Sequence, residues 1–94
     1  MKLIGLSHLY DFCQQYPDTE TWIRNWIADA RAANWKSPHE LKQRYPSCSL
    51  LGGGTVFFNV RGNNYRMETQ IAFNVGVISV RWIGTHEEYT KRNR

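Results

Sequence analysis

Two groups of residues in this chain have the types and spacing that phosphate chemistry requires. In the first, Arg61, Arg66 and Arg81 occupy polar positions of segments that read as strands, among Asn59, Glu68 and Gln70. A guanidinium presents a planar fork of donors that matches two phosphate oxygens, so three of them against the single carboxylate of Glu68 favour an anion-binding surface. An ordinary polar face, with Glu68 paired to Arg66 or Arg81, accounts for the same residues and stays open at this point. In the second group, Thr85-His86-Glu87-Glu88 matches a capping box, which starts a short helix after Thr85. That helix sets His86 and Tyr89, three apart, on one side, with Lys91 beyond them. A helix N-terminus with free amides, an imidazole, a phenol and a lysine, immediately after a strand carrying Arg81, fits phosphate chemistry. A histidine at a helix start also occurs for purely structural reasons. His8 and His39 have no comparable neighbours and read as surface residues.

The elements that must position these groups are helical first and extended second. Leu3 to Leu6 reads as a short strand, and Ser7 as the cap of a helix carrying Leu9, Tyr10, Phe12, Cys13 and Tyr16. From Thr19 to about Ala33, with Asp18 as the cap, Trp22, Ile23, Trp26, Ile27, Ala30 and Ala33 recur at helical spacing. Ser37-Pro38-His39-Glu40 supplies a cap, a first-turn proline and a capping-box glutamate for a helix from Pro38 to about Arg44. Beyond Gly52-Gly53-Gly54 the period changes to two: Val56, Phe58 and Val60, then Tyr65, Met67, Thr69, Ile71 and Phe73, alternate with polar or smaller neighbours. A hairpin turning at Gly62-Asn63 pairs Val60 with Tyr65, Asn59 with Arg66 and Phe58 with Met67. A second turn near Asn74-Val75-Gly76 leads into Val77 to Ile83, with Ile78, Val80 and Trp82 on the apolar face and Ser79 and Arg81 on the polar one. The expected class is α+β: a short N-terminal strand and helices packed on one face of a C-terminal antiparallel β-meander, with the arginines displayed on the other. Trp22, Trp26 and Trp82 read as core, and Trp35 as a packing anchor or part of a partner contact.

At 94 residues and 11.1 kDa, residues 1–94 read as a single domain with one modest core. With 41% hydrophobic and 21% charged residues the chain is neither of the disordered type nor of the membrane type. The longest uncharged stretch, 45 to 60, is broken by Pro46 and three glycines, so no membrane partner is expected. No secretory h-region is visible, and the expected location is cytoplasmic. Cys13 and Cys48 lack metal-ligand spacing and read as free, packed thiols. The histidines and carboxylates form no HExxH-like spacing, the glycine run precedes a strand rather than opening a helix, and no nucleophile elbow is present. No metal or small-molecule cofactor is therefore expected. The net charge of +4 is concentrated after residue 50, where six basic residues face three acidic ones, a balance that suits a polyanion.

Three segments carry a family resemblance. Ala33-Asn34-Trp35-Lys36-Ser37-Pro38, Phe58-Asn59-Val60-Arg61-Gly62-Asn63-Asn64-Tyr65-Arg66 and Ile83-Gly84-Thr85-His86-Glu87-Glu88-Tyr89 closely resemble the HigB toxins, members of the RelE-like group of bacterial toxin–antitoxin systems. The similarity extends over nearly the whole chain with the blocks in the same order. It implies a RelE-like β-α-α-β-β-β core, cleavage of translated mRNA on the ribosome without a metal, and neutralisation by a HigA-like antitoxin carrying a helix-turn-helix. The chain departs from many relatives at Asn64, where they have Lys, and at Thr90, where they have Asp.

RNA cleavage of this kind requires the 2′-hydroxyl to lose a proton and attack the adjacent phosphorus in line, while the departing 5′-oxygen gains one. Arg66 and Arg81 are the expected stabilisers of the charge that builds on the phosphoryl oxygens, and His86 the expected proton-transfer group. Tyr89 would stack on a base or orient the substrate. Arg61, Lys91, Asn59 and Lys36 would hold flanking RNA, and Glu68 either serves as the complementary base or pairs with an arginine. Two rival readings remain at this stage: a noncatalytic basic module that binds nucleic acid or a partner, and a degenerate toxin that keeps only antitoxin binding.

Overall fold

A computed structural model describes residues 1–92. In chain order the elements are β1 (Lys2–Ile4), α1 (Leu6–Gln15), a 3-10 turn (Pro17–Thr19), α2 (Glu20–Ala32), α3 (Pro38–Arg44), β2 (Ser49–Leu50), β3 (Thr55–Val60), β4 (Tyr65–Ala72), β5 (Val77–Thr85) and α4 (His86–Arg92). The strands form a mixed sheet in the order β1-β5-β4-β3-β2, with β1 parallel to β5 and the other pairs antiparallel. The expected α+β class and RelE-like arrangement hold.

The β3–β4 hairpin has the expected register, Val60 opposite Tyr65, Asn59 opposite Arg66 and Phe58 opposite Met67. Its apolar alternation therefore places Val56, Phe58, Val60, Met67 and Ile71 on one inner face, where they join Leu9, Phe12, Ile23, Trp26, Ala30 and Leu41 of the helices in a single core. Trp26 meets Phe58 edge-on at 5.5 Å, and Tyr45 meets it at 5.3 Å. Thr69 lies on the same buried face, and its hydroxyl donates to the Val56 carbonyl at 2.9 Å, which satisfies a polar group that would otherwise be costly there.

Several boundaries move for identifiable reasons. Helix α1 begins at Leu6, not after Ser7, because Gly5 turns the chain in the left-handed region (φ 81°), and a Cβ at Gly5 would run into the Val80 carbonyl. Helix α2 begins at Glu20 without a side-chain cap from Asp18, since Pro17 sets up a 3-10 turn that delivers the chain instead. The cap at Ser37 forms as expected, with its hydroxyl accepting from the Glu40 N–H at 3.2 Å.

The largest departure is in β5. Glu68 pairs with Trp82 and Thr69 with Val80, so Arg81 is an extra residue, a β-bulge. The strand changes phase there. Ile78 and Val80 face the core as expected, but beyond the bulge Ile83 takes the inner position and Trp82 moves to the outer face beside Glu68. The outer face is also not left open. Helix α4 folds back across it, so helices lie on both sides of the sheet, and Phe57 is buried beneath the Tyr89 ring at 5.2 Å.

Candidate functional site

The outer face of the sheet is built in cross-strand rows. Asn59, Arg66 and Gly84 lie side by side on β3, β4 and β5; Phe57, Glu68 and Trp82 form the next row, with Ser49 of β2 beside Phe57. Gly84 is required by what lies above it, because a Cβ there would come within 2.7 Å of Cη2 of the Trp82 indole and 3.0 Å of the Glu88 carboxylate. Helix α4 is anchored reciprocally by its capping box: the Thr85 N–H donates to Glu88 Oε1 at 2.8 Å, and the Glu88 N–H donates to Thr85 Oγ1 at 3.1 Å. The His86 N–H donates to the Asn64 carbonyl at 3.0 Å, which ties the helix start to the β3–β4 turn.

Arg66 occupies the centre. It is 7% exposed, and its guanidinium lies 4.6 Å from the Tyr89 ring centroid and 5.4 Å from that of Phe57. One terminal nitrogen donates to Asn59 Oδ1 at 2.6 Å; the other donates to Ser49 Oγ and to the Tyr89 hydroxyl, each at 3.3 Å. Among the described residues its Nε has no partner and no carboxylate lies within ion-pairing distance of the guanidinium. A buried guanidinium held only by neutral oxygens and ring faces keeps its charge uncompensated, which is the electrostatic condition for taking up an anion. The His86 ring meets Tyr89 edge-on at 5.7 Å, and His86 itself is exposed. An imidazole, a phenol and a buried cation thus converge on one side of the sheet.

Other expected site residues are placed differently. Arg61 is not on the outer face: it sits in the turn at φ 51° and reaches the helical side, donating to the Asp18 carboxylate at 3.0 Å and the Asp18 carbonyl at 3.2 Å. The Tyr65 hydroxyl also donates to Asp18, at 2.8 Å. That bond, with Arg61 beside it, holds the Asp18 carboxyl below its ordinary range; the same bond to Asp18, together with burial and against the nearby Arg61 charge, raises the Tyr65 phenol above its own. Arg81 projects exposed from the bulge without joining the Arg66 network. Glu68 pairs with neither Arg66 nor Arg81. Its partner is Arg92, at 2.9 Å, a residue the sequence reading did not single out because the pairing depends on α4 folding back. Trp82 is not core; the Arg92 guanidinium stacks 4.3 Å above its ring. Lys91 pairs with Glu87 one turn earlier at 3.4 Å, a weak exposed contact. The Lys36 backbone N–H donates to Glu40 at the start of α3, and nothing among the described residues joins its side chain to the Arg66 cluster. Ser49 went unnoticed in the sequence because β2 is two residues long.

Among the described residues no group of three or more His, Cys, Asp or Glu side chains converges in a way that could hold a metal ion, and no helix is long and apolar enough to cross a membrane. A shallow groove between α1 and α2, lined by Tyr10, Cys13, Ile23 and Ile27, lies on the helical side of the sheet. Cys13 and Cys48 are both free thiols.

No curated protein matches the chain. Residues 19–92, which span α2 through α4 and every residue of the Arg66 cluster, match a family of known toxins: the chain belongs to the HigB toxin family, the RelE-like toxic component of a toxin–antitoxin system.

Proposed function

We propose that this toxin is a metal-independent endoribonuclease that cleaves mRNA during translation on the ribosome, in the cytoplasm. The observation that carries the reading is the buried, uncompensated guanidinium of Arg66 beside the phenol of Tyr89. In the proposed reaction the scissile phosphate approaches Arg66, whose fork stabilises the charge developing on the phosphoryl oxygens. The 2′-hydroxyl gives up its proton and attacks phosphorus; the bond to the 5′-oxygen breaks, and that oxygen takes a proton as it leaves. The products are a 2′,3′-cyclic phosphate and a 5′-hydroxyl. His86 serves one of the two proton transfers. Tyr89, with the Arg66 guanidinium over its ring and His86 edge-on to it, orients the substrate and shares its hydroxyl with Arg66. Asn59 and Ser49 hold the guanidinium in place from the sheet, as positioning residues. Arg81, exposed at the bulge, contacts flanking phosphates. The partner that silences the toxin is a HigA-like helix-turn-helix antitoxin.

The test is induced expression in a bacterial host with and without a translation inhibitor, mapping new mRNA 5′ ends, with His86→Ala and Tyr89→Phe alongside. The expected result is cleavage that depends on translation and falls by about 10²–10⁴-fold in His86→Ala, the usual range for a positioned proton-transfer group. Intact mRNA and normal growth with folded wild-type protein would replace the reading by a noncatalytic binding module or a degenerate toxin.

A further inference from the structure

Next to the Arg66 cluster lies a second arrangement that the cleavage chemistry does not use. Glu68 and Trp82 are cross-strand neighbours on the outer face. The Arg92 guanidinium fills the corner between them, stacked 4.3 Å over the indole and donating to Glu68 Oε1 at 2.9 Å. All three side chains reach solvent: Trp82 is half-buried, and the Glu68 and Arg92 side chains are 24% and 41% exposed. A flat ring face with a carboxylate at its edge is a receptor for a planar group that carries N–H donors along one side.

We propose that Trp82 and Glu68 form a guanine-binding subsite, which Arg92 occupies in the free protein. The inference rests on the nuclease reading for its biological use, because the base it takes would belong to the RNA whose phosphate meets Arg66. The chemistry is that of mimicry. The N1–H and 2-amino group of guanine form a guanidine fragment set in a ring, so guanine offers a carboxylate the same two parallel donors as arginine while its face stacks on the indole. Adenine presents a lone pair at N1 where a donor is needed, and hypoxanthine lacks the second donor. Uracil offers one donor flanked by two acceptors, and cytosine an amino group beside the N3 acceptor. Glu68 lies two residues from Arg66 on the same face of β4, roughly 6.6 Å away at strand spacing, close enough for one nucleotide or its neighbour to span both. The Arg92 side chain is 41% exposed and held by one hydrogen-bonded pair and one ring face, both of which a stacked base with its own donors would replace in kind.

The test is a titration of full-length protein with 5′-GMP, 5′-AMP and 5′-IMP, observing the Trp82 indole N–H by NMR, with Trp82→Phe to assign the resonance. Wild-type protein should bind GMP weakly. Arg92→Ala, or Arg92→Met should the first variant fold poorly, should bind GMP about tenfold more tightly than AMP or IMP, the discrimination expected of one bidentate pair. Glu68→Gln in the Arg92→Ala background should abolish that preference and leave weak, base-indifferent stacking. Equal binding of GMP and AMP by folded Arg92→Ala protein, or no shift of the Trp82 signal with any of the three nucleotides, would overturn the subsite. Because the readout is binding, guanine selectivity in a protein that cuts no mRNA would defeat the nuclease reading alone, and cleavage by a protein blind to guanine would defeat the subsite alone.

Discussion

Replacing Arg66 with methionine should separate folding from function. The guanidinium is buried, and its contacts among the described residues are all neutral: one short hydrogen bond to Asn59 at 2.6 Å, two longer ones at 3.3 Å, and two ring faces. A good hydrogen bond from a charged donor contributes about 1.5–3 kcal/mol, and a desolvated ring contact about 1–2 kcal/mol. Against these stand the several kcal/mol needed to take an ion out of water and the cost of an unpartnered Nε, about 1–3 kcal/mol. The two sides nearly cancel. Methionine keeps the apolar stem between Phe57 and Tyr89 and removes the ion, so the expected change in unfolding free energy is within about 1 kcal/mol of zero. In a domain of this size that corresponds to a shift in Tm of no more than about 4–8 °C. Cleavage of mRNA, measured by end mapping, should fall by about 10²–10³-fold, as when a preorganised donor is removed from a developing oxyanion. A loss of more than about 3 kcal/mol by thermal or urea unfolding would refute the reasoning, since it would make the guanidinium a structural pivot whose removal orphans its neighbours.

Three further outcomes follow from the structure. Asp18 has a folded pKa below its ordinary 3.8, so the stability it confers is fully present above that value and is lost as pH falls through the depressed one; Asp18→Asn should therefore lower Tm at pH 7 and merge with wild type in strong acid, as a pH series of melts will show. Gly84→Ala drives a methyl into the Trp82 indole and should cost about 1–3 kcal/mol, with faster amide exchange confined to α4 and the end of β5. Phe58→Ala removes a ring packed between Trp26 and Tyr45 and should cost about 3–5 kcal/mol, read from urea unfolding, a large share of the stability usual for a domain.

The parts of this molecule legible from sequence are those fixed by local rules. The β3–β4 register follows from turn geometry plus two agreeing alternations, and the caps at Ser37 and Thr85 follow from residues three apart. The bulge was hidden because Trp82 and Ile83 are both apolar, so either phase of β5 satisfies the alternation expected of a strand with a buried face. Strand β2 is too short to carry a period, and with it went Ser49. The largest gap was the path of the chain after Thr85. Once α4 crosses the outer face, Arg66 changes from an exposed cation to a buried one, and Glu68 acquires Arg92 as its partner. Arg61 was misplaced for a related reason: the left-handed turn swings its side chain out of the alternation and toward Asp18.

The extra residue in β5 acts as a frame shift written into a strand. Before Arg81 the side chains are phased to the core, with Ile78 and Val80 inward; after it the parity reverses, and Trp82 and Gly84 come to the outer face, where one supplies a ring and the other the space to hold it. Were Arg81 paired with Glu68 instead of bulged out, the ladder would run on in its first phase, Trp82 would fall opposite Met67 in the core, and Ile83 would stand beside Arg66. One strand therefore serves two masters in succession, the interior and the reactive surface, and a one-residue slip of register that drew Arg81 into the ladder would exchange them wholesale where a substitution alters a single side chain.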